Sequence, residues 1–240
     1  LVDETGVPLM AGYARGDLEP RDVVARAVHA VWGRGGSVGL DARHIDSFER
    51  RFPQIAAACA ASKIDPTARP IPVRTAAHYH MGGIVVDAAG RASVPGLWAC
   101  GEVASTGLHG ANRLASNSLT EGAVCAVALA QDVAAAPAQA GAIHCVPRAS
   151  FLVDAAPVRQ AMATVGVVRD GAGLSLAVER LSDLVQAGGA ASDPALAGLL
   201  IATAALRRVE SRGAHQRADH PQTDAEPKRT RAAALPPDER

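Results

Sequence analysis

The stretch between residues 97 and 119 constrains the fold of this chain more than any other. A short apolar run ends at Glu102, a glycine-punctuated loop carries Arg113, and Asn117 with Ser118 opens a long apolar segment. This order predicts a strand that ends at Glu102, then a loop, then a helix that starts at Asn117. A helix N-terminus that follows a strand and a loop is suited to an anionic or electron-poor ligand.

The chain before this stretch alternates between helical and extended patterns. Pro20 and the valines that follow it at helical spacing predict a helix that ends at the glycine cluster after position 32. Further along, the patterns predict a strand over 38–41, a helix over 45–62 that breaks at Pro53, an extended proline-bearing connection over 66–72, and a hairpin over 84–94.

The chain after this stretch is dominated by helical patterns. The helix expected over 117–134 is apolar on nearly all sides, which is typical of a helix buried within a larger fold. Residues 135–148 form a Pro/Ala/Gly-bearing linker and predict a domain boundary. Three helices expected over 158–165, 174–186 and 194–210 predict a small bundle, and the polar sequence from His215 predicts an irregular tail.

Composition narrows the class of protein. The 240 residues carry a net charge of zero, which argues against a general affinity for nucleic acid or a membrane surface. No apolar run reaches the roughly 18 residues of a membrane span. The four cysteines are too scattered for a zinc site and predict reduced thiols in a cytoplasmic protein: Cys59, Cys100, Cys125 and Cys145.

Three candidate side chains for chemistry each have a plainer alternative. Arg21 lies in the first turn of a predicted helix, where a cation opposes the helix dipole, and can be a solvated residue. His78 precedes a Met-Gly-Gly turn and can be a loop histidine with a backbone partner. A buried Glu102 needs donors, which the hydroxyls of a bound ribose or ribitol would supply, but a helix cap or an ion pair would serve equally.

The loop and the helix start leave similar alternatives open. Arg113 can grip an anionic substrate or be solvated, and His109 can be a ligand or pack within the loop. Asn117 and Ser118 can be no more than a helix cap. The glycine clusters at 33–36 and 171–173 lack a preceding strand and the spacing of a dinucleotide fingerprint, so the chain has no first nucleotide-binding unit.

Four ordered motifs together resemble the succinate dehydrogenase/fumarate reductase flavoprotein family. They are Pro-Arg-Asp-Val-Val-Ala-Arg-Ala at 20–27, Ala-Ala-His-Tyr with Met-Gly-Gly at 76–83, the stretch 97–119, and Glu-Ser-Arg-Gly-Ala-His at 210–215. The details of 85–91 and 106–119 are similar to the members that oxidise L-aspartate. The resemblance implies an α/β fold in three parts. Residues 1–79 would end a capping domain, 80–148 would be the returning half of a Rossmann-like FAD-binding domain, and 149–214 a helical bundle, with 215–240 as tail.

The resemblance also implies roles for individual residues. Glu102, Asn117, Ser118 and Leu119 would contact non-covalent FAD, with the helix start pointing its positive end at the flavin. Substrate carboxylates would bind at His78 and at Arg113, whose planar fork lysine cannot copy. Arg21 would transfer a proton or place a second charge near Cα, the former being unusual for a group with a pKa above roughly 12.

The implied reaction is the oxidation of L-aspartate to iminoaspartate, with oxygen or fumarate as electron acceptor. It would be the first step of NAD (quinolinate) biosynthesis, with quinolinate synthase as a possible partner. The chain begins without Met and lacks the FAD fingerprint, which predicts the C-terminal piece of a longer protein, inactive alone. The alternatives are a flavoprotein subunit that oxidises succinate or reduces fumarate, and a non-catalytic remnant or helical interaction module.

Overall fold

The computed structural model describes residues 1–136 and 155–226, so most of the predicted linker lies outside the described residues. The chain is a mixed helix and sheet protein with two compact units, Leu1–Ala76 and Ala77–Arg240, each described by itself. The thiols of Cys59, Cys100 and Cys125 are free.

The first unit packs one helix against a small antiparallel sheet. Strands β1 (Val2–Asp3), β2 (Val38–Leu40) and β3 (Ile71–Val73) lie in the order β1-β2-β3. Helix α1 (Arg21–Gly33) buries the valine face that the sequence predicts. The core of this unit consists of Met10, Val24, Val28, Val31 and Val38. The helix expected over 45–62 is two helices, α2 (Phe48–Arg51) and α3 (Pro53–Ala61), which meet at the predicted break.

The second unit begins with a short parallel pair of strands. Strand β4 (Ile84–Val85) pairs with β5 (Ala104–Ser105), and the predicted hairpin survives as single bridges such as Val86 to Ala92. The prediction that a strand ends at Glu102 is wrong. Glu102 lies in a 3-10 turn, Gly101–Val103, that comes before β5, because Gly101 takes a φ of +72° and turns the backbone.

Helix α4 (Asn117–Ala135) follows the loop, as predicted, but it is not buried among the described residues. Leu119, Val124 and Val127 are 84%, 66% and 60% exposed. The residue of α4 that is buried is the carboxylate-bearing Glu121, at 6% exposure. Among the described residues, the buried side of α4 therefore carries a carboxylate and not an apolar side chain.

The C-terminal helices form the bundle that the sequence predicts. Helix α5 (Ala156–Ala161) continues into a 3-10 turn, and α6 (Gly171–Ala187) packs along α7 (Ser192–Arg207). Their contact buries Leu174, Leu181 and Leu199 almost completely. By length and composition Gly189–Arg207 would suffice to cross a membrane, which corrects the expectation that no segment would. Its buried face lies in the bundle core.

Residues 208–226 contain no helix or strand, but the segment is fixed by buried polar groups. Arg217 is 3% exposed and donates from Nη1 to the carbonyl oxygens of Ala205, Leu206 and Arg208 at 3.1–3.2 Å. Its Nε and Nη2 donate to the two carboxylate oxygens of Asp219, both at 2.8 Å. This fork holds the pKa of Asp219 well below its usual range.

We expect Arg217→Lys to destabilise the bundle by about 2 kcal/mol, because a lysine amine leaves buried carbonyls and the Asp219 fork unsatisfied. Arg43→Lys is the matched control, since Arg43 makes the same fork with Asp41 at 2.9 and 2.8 Å on the surface. Urea unfolding followed by the helical circular dichroism signal measures both. Equal shifts in the two variants would contradict the buried clamp.

The hydrogen bonds between Arg217 and Asp219 also make the stability of the fold depend on pH. A carboxyl whose pKa is depressed by folding stabilises the fold above its unfolded pKa of about 3.9, and this stability is lost as pH falls. The stability gap between the wild type and Arg217→Lys should therefore narrow below about pH 4.

Candidate functional site

A cavity of about 330 Å³ lies at the start of α4, within the range of ligand pockets of about 300–1,000 Å³. Its lining residues come from the 3-10 turn, from the first two turns of α4 and from one preceding aromatic: Gly101, Glu102, Ser118, Leu119, Gly122, Ala123 and Tyr79. Three of the sequence-predicted residues, Glu102, Ser118 and Leu119, therefore meet at one cavity. Their common feature is a position next to the helix N-terminus.

Two close approaches of backbone form this cavity. A Cβ added at Gly122 would lie 3.6 Å from Cα of Gly101, so α4 and the turn are nearly in backbone contact there. At Gly83, with φ +117°, an added Cβ would lie 2.1 Å from the carbonyl oxygen of Val103. Only glycine fits at position 83, and it lets the segment that carries Tyr79 pass close beside the turn that carries Glu102.

The Glu102 carboxylate is held at the cavity by one backbone donor. Its Oε1 accepts the amide hydrogen of His80 at 2.9 Å, and its side chain remains accessible. A carboxylate fixed in this way can accept further hydrogen bonds from hydroxyl groups of a ligand. The ion pair and the helix cap, the two alternatives for Glu102, are not what the described residues contain.

The N-terminus of α4 faces the cavity without a side-chain cap. Its N-cap residue is Ser116, with φ +69°, and no described side chain makes a capping hydrogen bond there. Asn117 and Ser118 are the first two helical residues, so the prediction that they could serve as the N-cap is wrong. The cavity therefore lies beside the end of α4 that carries the positive end of the helix dipole.

Arg113 lies in the loop before α4 and is held by two contacts. Its Nη1 donates to the hydroxyl oxygen of Ser118 at 3.2 Å, and its guanidinium carbon lies 4.9 Å from the ring centre of Tyr79. Burial raises the pKa of Tyr79, the Glu121 and Glu102 carboxylates raise it further, and Arg113 opposes them. Tyr79 therefore stays a neutral phenol, whose ring face attracts the guanidinium.

Behind Arg113, Glu121 joins the loop to the helix. Its side chain is 3% exposed, it accepts a hydrogen bond from the Thr106 hydroxyl, and its Oε2 lies 2.7 Å from Nε2 of His109. The His109 ring meets the Tyr79 ring edge-on, with centres 5.2 Å apart. The His109 side chain therefore packs against Glu121 of α4 and against Tyr79, both of which lie outside the loop.

Two residues of this site were not anticipated from the sequence. Tyr79 belongs to the motif at 76–83 but receives no role from it, and Glu121 belongs to none of the four motifs. A signal for Glu121 did exist, because it is a lone acid within the apolar segment 119–130. Burial raises the pKa of the nearby Cys125 thiol, and the Glu121 carboxylate raises it further, so that this thiol stays protonated.

The remaining predicted residues lie elsewhere. His78 is exposed, immediately before Tyr79 in the chain, in a segment without regular structure. Arg21 is exposed in the first turn of α1 and belongs to the first unit. The structure thus groups Glu102, Arg113, Ser118 and Leu119, and it places His78 next to Tyr79, which lines the same cavity. In the described part of the chain, no group of three or more His, Cys, Asp or Glu residues could hold a metal ion.

Comparison with known protein families finds two matches along the chain. Residues 1–119 match the family described as FAD binding domain, and residues 190–239 match the family described as fumarate reductase flavoprotein C-term. FAD is therefore the cofactor of the family, and the residues around the cavity fit it: a fixed carboxylate for hydroxyl groups and an uncapped helix start for an electron-rich edge.

The relatives with curated names are L-aspartate oxidases. That of Mesorhizobium japonicum is 50% identical over 98% of this chain and 45% of its own length. That of Rhodospirillum rubrum is 48% identical over 93% of this chain and 86% of its own length. The chain spans about half the length of the Mesorhizobium relative and of the Agrobacterium fabrum relative.

Solved structures of quinol fumarate reductase and of Sdh1 share the fold. A quinol fumarate reductase of E. coli superimposes with a TM-score of 0.73 at 28% identity, over 94% of this chain and 50% of its own. The Sdh1 complex of Mycobacterium smegmatis gives a TM-score of 0.61 at 31% identity, over 94% of this chain and 45% of its own. The resemblance carried by the four motifs is confirmed, and the chain belongs to the L-aspartate oxidase family of the succinate dehydrogenase/fumarate reductase flavoproteins.

Proposed function

We propose that this chain supplies the helix start and the substrate arginine of an enzyme that oxidises L-aspartate to iminoaspartate. The observation that carries the proposal is the meeting of Glu102, Ser118 and Leu119 at one cavity, with Arg113 hydrogen-bonded to Ser118. A cofactor site and a cationic substrate site thereby share one turn of helix. The alternative of an interaction module gives no reason for this arrangement.

Glu102 and the first turn of α4 would hold the FAD. The carboxylate would accept hydrogen bonds from the ribityl hydroxyls, and Ser118 and Leu119 would contact the ring system. The N–H of Asn117 donates to the carbonyl oxygen of Leu114, and the N–H groups that follow it in the first turn of α4 would stabilise negative charge on the ring when it is reduced. When bound, FAD supplies the acceptor for the hydride of Cα and passes the electrons to oxygen or fumarate.

Arg113 would bind a substrate carboxylate. The Arg113 guanidinium has its carbon over the Tyr79 ring and donates one hydrogen bond to Ser118, and its remaining N–H groups would offer a carboxylate two parallel hydrogen bonds. Fixing one end of a four-carbon dianion beside the flavin site places Cα within reach of the hydride acceptor. His78, one residue before Tyr79, would bind the second carboxylate.

Arg21 and the domain assignments belong to this proposal as well. Arg21 would transfer a proton or place a second charge near Cα.

Residues 1–79 would end a capping domain, 80–148 would be the returning half of the FAD domain, 149–214 would be the helical bundle, and 215–240 the tail. A cytoplasmic location, a role in NAD biosynthesis and a handover of product to quinolinate synthase follow from the same proposal.

The test of the reaction uses the purified FAD-loaded holoenzyme. We expect L-aspartate to produce hydrogen peroxide under air, while succinate with an artificial dye acceptor gives no comparable rate. Dye reduction by succinate without oxidation of aspartate would favour the succinate and fumarate branch of the family. No turnover with either compound, in protein that contains FAD, would favour the non-catalytic module.

Arg113→Lys should lower aspartate turnover by about 100-fold or more while the protein still folds and binds FAD, because an ammonium cannot make the paired hydrogen bonds or stack on Tyr79. Steady-state peroxide formation measures the effect. Arg180→Lys, on the exposed side of α6, is the control and should keep wild-type turnover. Near-normal aspartate oxidation by Arg113→Lys would contradict the substrate site.

Glu102→Gln should weaken FAD binding by about 10-fold, because the neutral amide is a poorer acceptor for ligand hydroxyls than a carboxylate. Titration of the apoprotein with FAD, followed by quenching of flavin fluorescence, gives the dissociation constant. The control is Glu179→Gln, an exposed glutamate of α6. An unchanged dissociation constant for Glu102→Gln would remove Glu102 from the cofactor site.

A further inference from the structure

We propose that the turn at Gly213 in the C-terminal segment and the buried Glu121 are positioning residues for Arg113. Both contact the loop 106–113, and neither lines the cavity. The inference rests on the proposed role of Arg113 in substrate binding. The segment after the helical bundle would thereby take part in the site, although none of the residues of that segment lines the cavity.

The first contact is made by backbone alone. Gly213, with φ +56°, lies so close to the loop that an added Cβ would be 2.5 Å from the carbonyl oxygen of Ala111. The next residue, Ala214, donates its amide hydrogen to the same oxygen at 2.9 Å. Ala111 is two residues before Arg113, so a shift of its peptide moves the start of the arginine's own backbone.

The Gly213 turn is itself fixed. Arg212 and His215 exchange backbone hydrogen bonds of 2.8 and 3.0 Å across the turn. The Arg212 guanidinium pairs with Glu210, whose side chain is 7% exposed. Further along, Arg217 clamps the segment to the end of α7. The carbonyl of Ala111 is therefore held by a rigid support and not by a free tail.

The second contact comes from α4. Glu121 accepts a hydrogen bond from Thr106 at one end of the loop and lies 2.7 Å from Nε2 of His109 in its middle, and His109 meets the Tyr79 ring edge-on. The face of that ring carries the Arg113 guanidinium. A chain of contacts therefore runs from the buried carboxylate to the substrate arginine.

The loop needs such support because of its own sequence. Gly107 and Gly110 have φ values of +91° and +52°, and glycine has the largest backbone freedom of any residue. Between them the loop holds His109, and after them it holds Arg113. With both ends of this flexible segment attached, the guanidinium keeps one direction before the substrate arrives, which is the condition for tight binding of a small dianion.

The decisive variant is Gly213→Ala, with Gly188→Ala as its matched control. Gly188 also has a positive φ, +69°, but an added Cβ there meets nothing within 4 Å. Both variants place a Cβ at a positive φ, and at Gly188 the ψ of −161° adds further strain, but only Gly213→Ala pushes against the loop. We expect the dissociation constant for succinate, followed by the flavin absorbance change in the FAD-loaded holoenzyme, to rise at least 10-fold in Gly213→Ala and less than 2-fold in Gly188→Ala.

Two readouts separate positioning from a general loss of structure. The FAD affinity and the melting temperature of Gly213→Ala should match those of Gly188→Ala, and KM for aspartate should rise more than kcat falls. If Gly213→Ala does not fold, Glu121→Gln decides, since it keeps the volume of the side chain and removes its charge. Glu121→Gln should weaken succinate binding in the same direction.

The outcomes keep this proposal apart from the proposed function. Weak succinate binding in Arg113→Lys together with normal binding in Gly213→Ala and Glu121→Gln would overturn the positioning role alone. Normal binding in Arg113→Lys would overturn the substrate site itself, and with it this inference. Unfolding of both Gly213→Ala and Glu121→Gln, with Gly188→Ala folded, would also overturn it, because these contacts would then serve folding.

Discussion

The Glu121 carboxylate is the constraint on which the candidate site depends. A carboxylate that is withdrawn from water loses its hydration, and the fold is stable only if protein donors replace it. On α4 the Thr106 hydroxyl donates a hydrogen bond to this carboxylate, and Nε2 of His109 makes a close polar contact of 2.7 Å with its Oε2; both residues lie in the preceding loop. The loop must therefore fold back on the helix that follows it. This return brings Arg113 beside Ser118 and leaves the start of α4 open toward the cavity.

Glycines bring the other wall of the cavity into place. Backbone passes backbone at Gly83 and Val103, and again at Gly101 and Gly122. These approaches place the turn that carries Glu102 against the second turn of α4, at a distance that side chains would not allow. The parallel pairing of β4 with β5 begins one residue after the Gly83–Val103 contact and fixes its register. The cavity is thus formed by missing side chains as much as by the residues that line it.

The sequence predicts the long elements well and the short ones poorly, for physical reasons. Helices α1, α4, α6 and α7 have a clear apolar period or a long apolar run. The prolines over 66–72 predict an extended connection and not a strand. Strand β3 forms there nevertheless, because it lies at the edge of the sheet, where Pro72 can be accommodated. Strand β5 has two residues and no period. Glu121 was missed because an acid in a helix normally faces water, and the roles of the site residues came from the resemblance and not from periodicity.

Two arginines of this chain show why the surroundings of a cation matter more than its burial. Arg217 points its N–H groups at three carbonyls and at Asp219, so its hydrogen-bonding capacity is used within the fold. Arg113, among the described residues, has its guanidinium carbon over the Tyr79 ring, 4.9 Å from the ring centre, and donates one hydrogen bond to Ser118. An aromatic face fixes a guanidinium without occupying its N–H edge. The first arrangement stabilises a structure, while the second orients a charge and leaves its donors for a carboxylate that comes from outside.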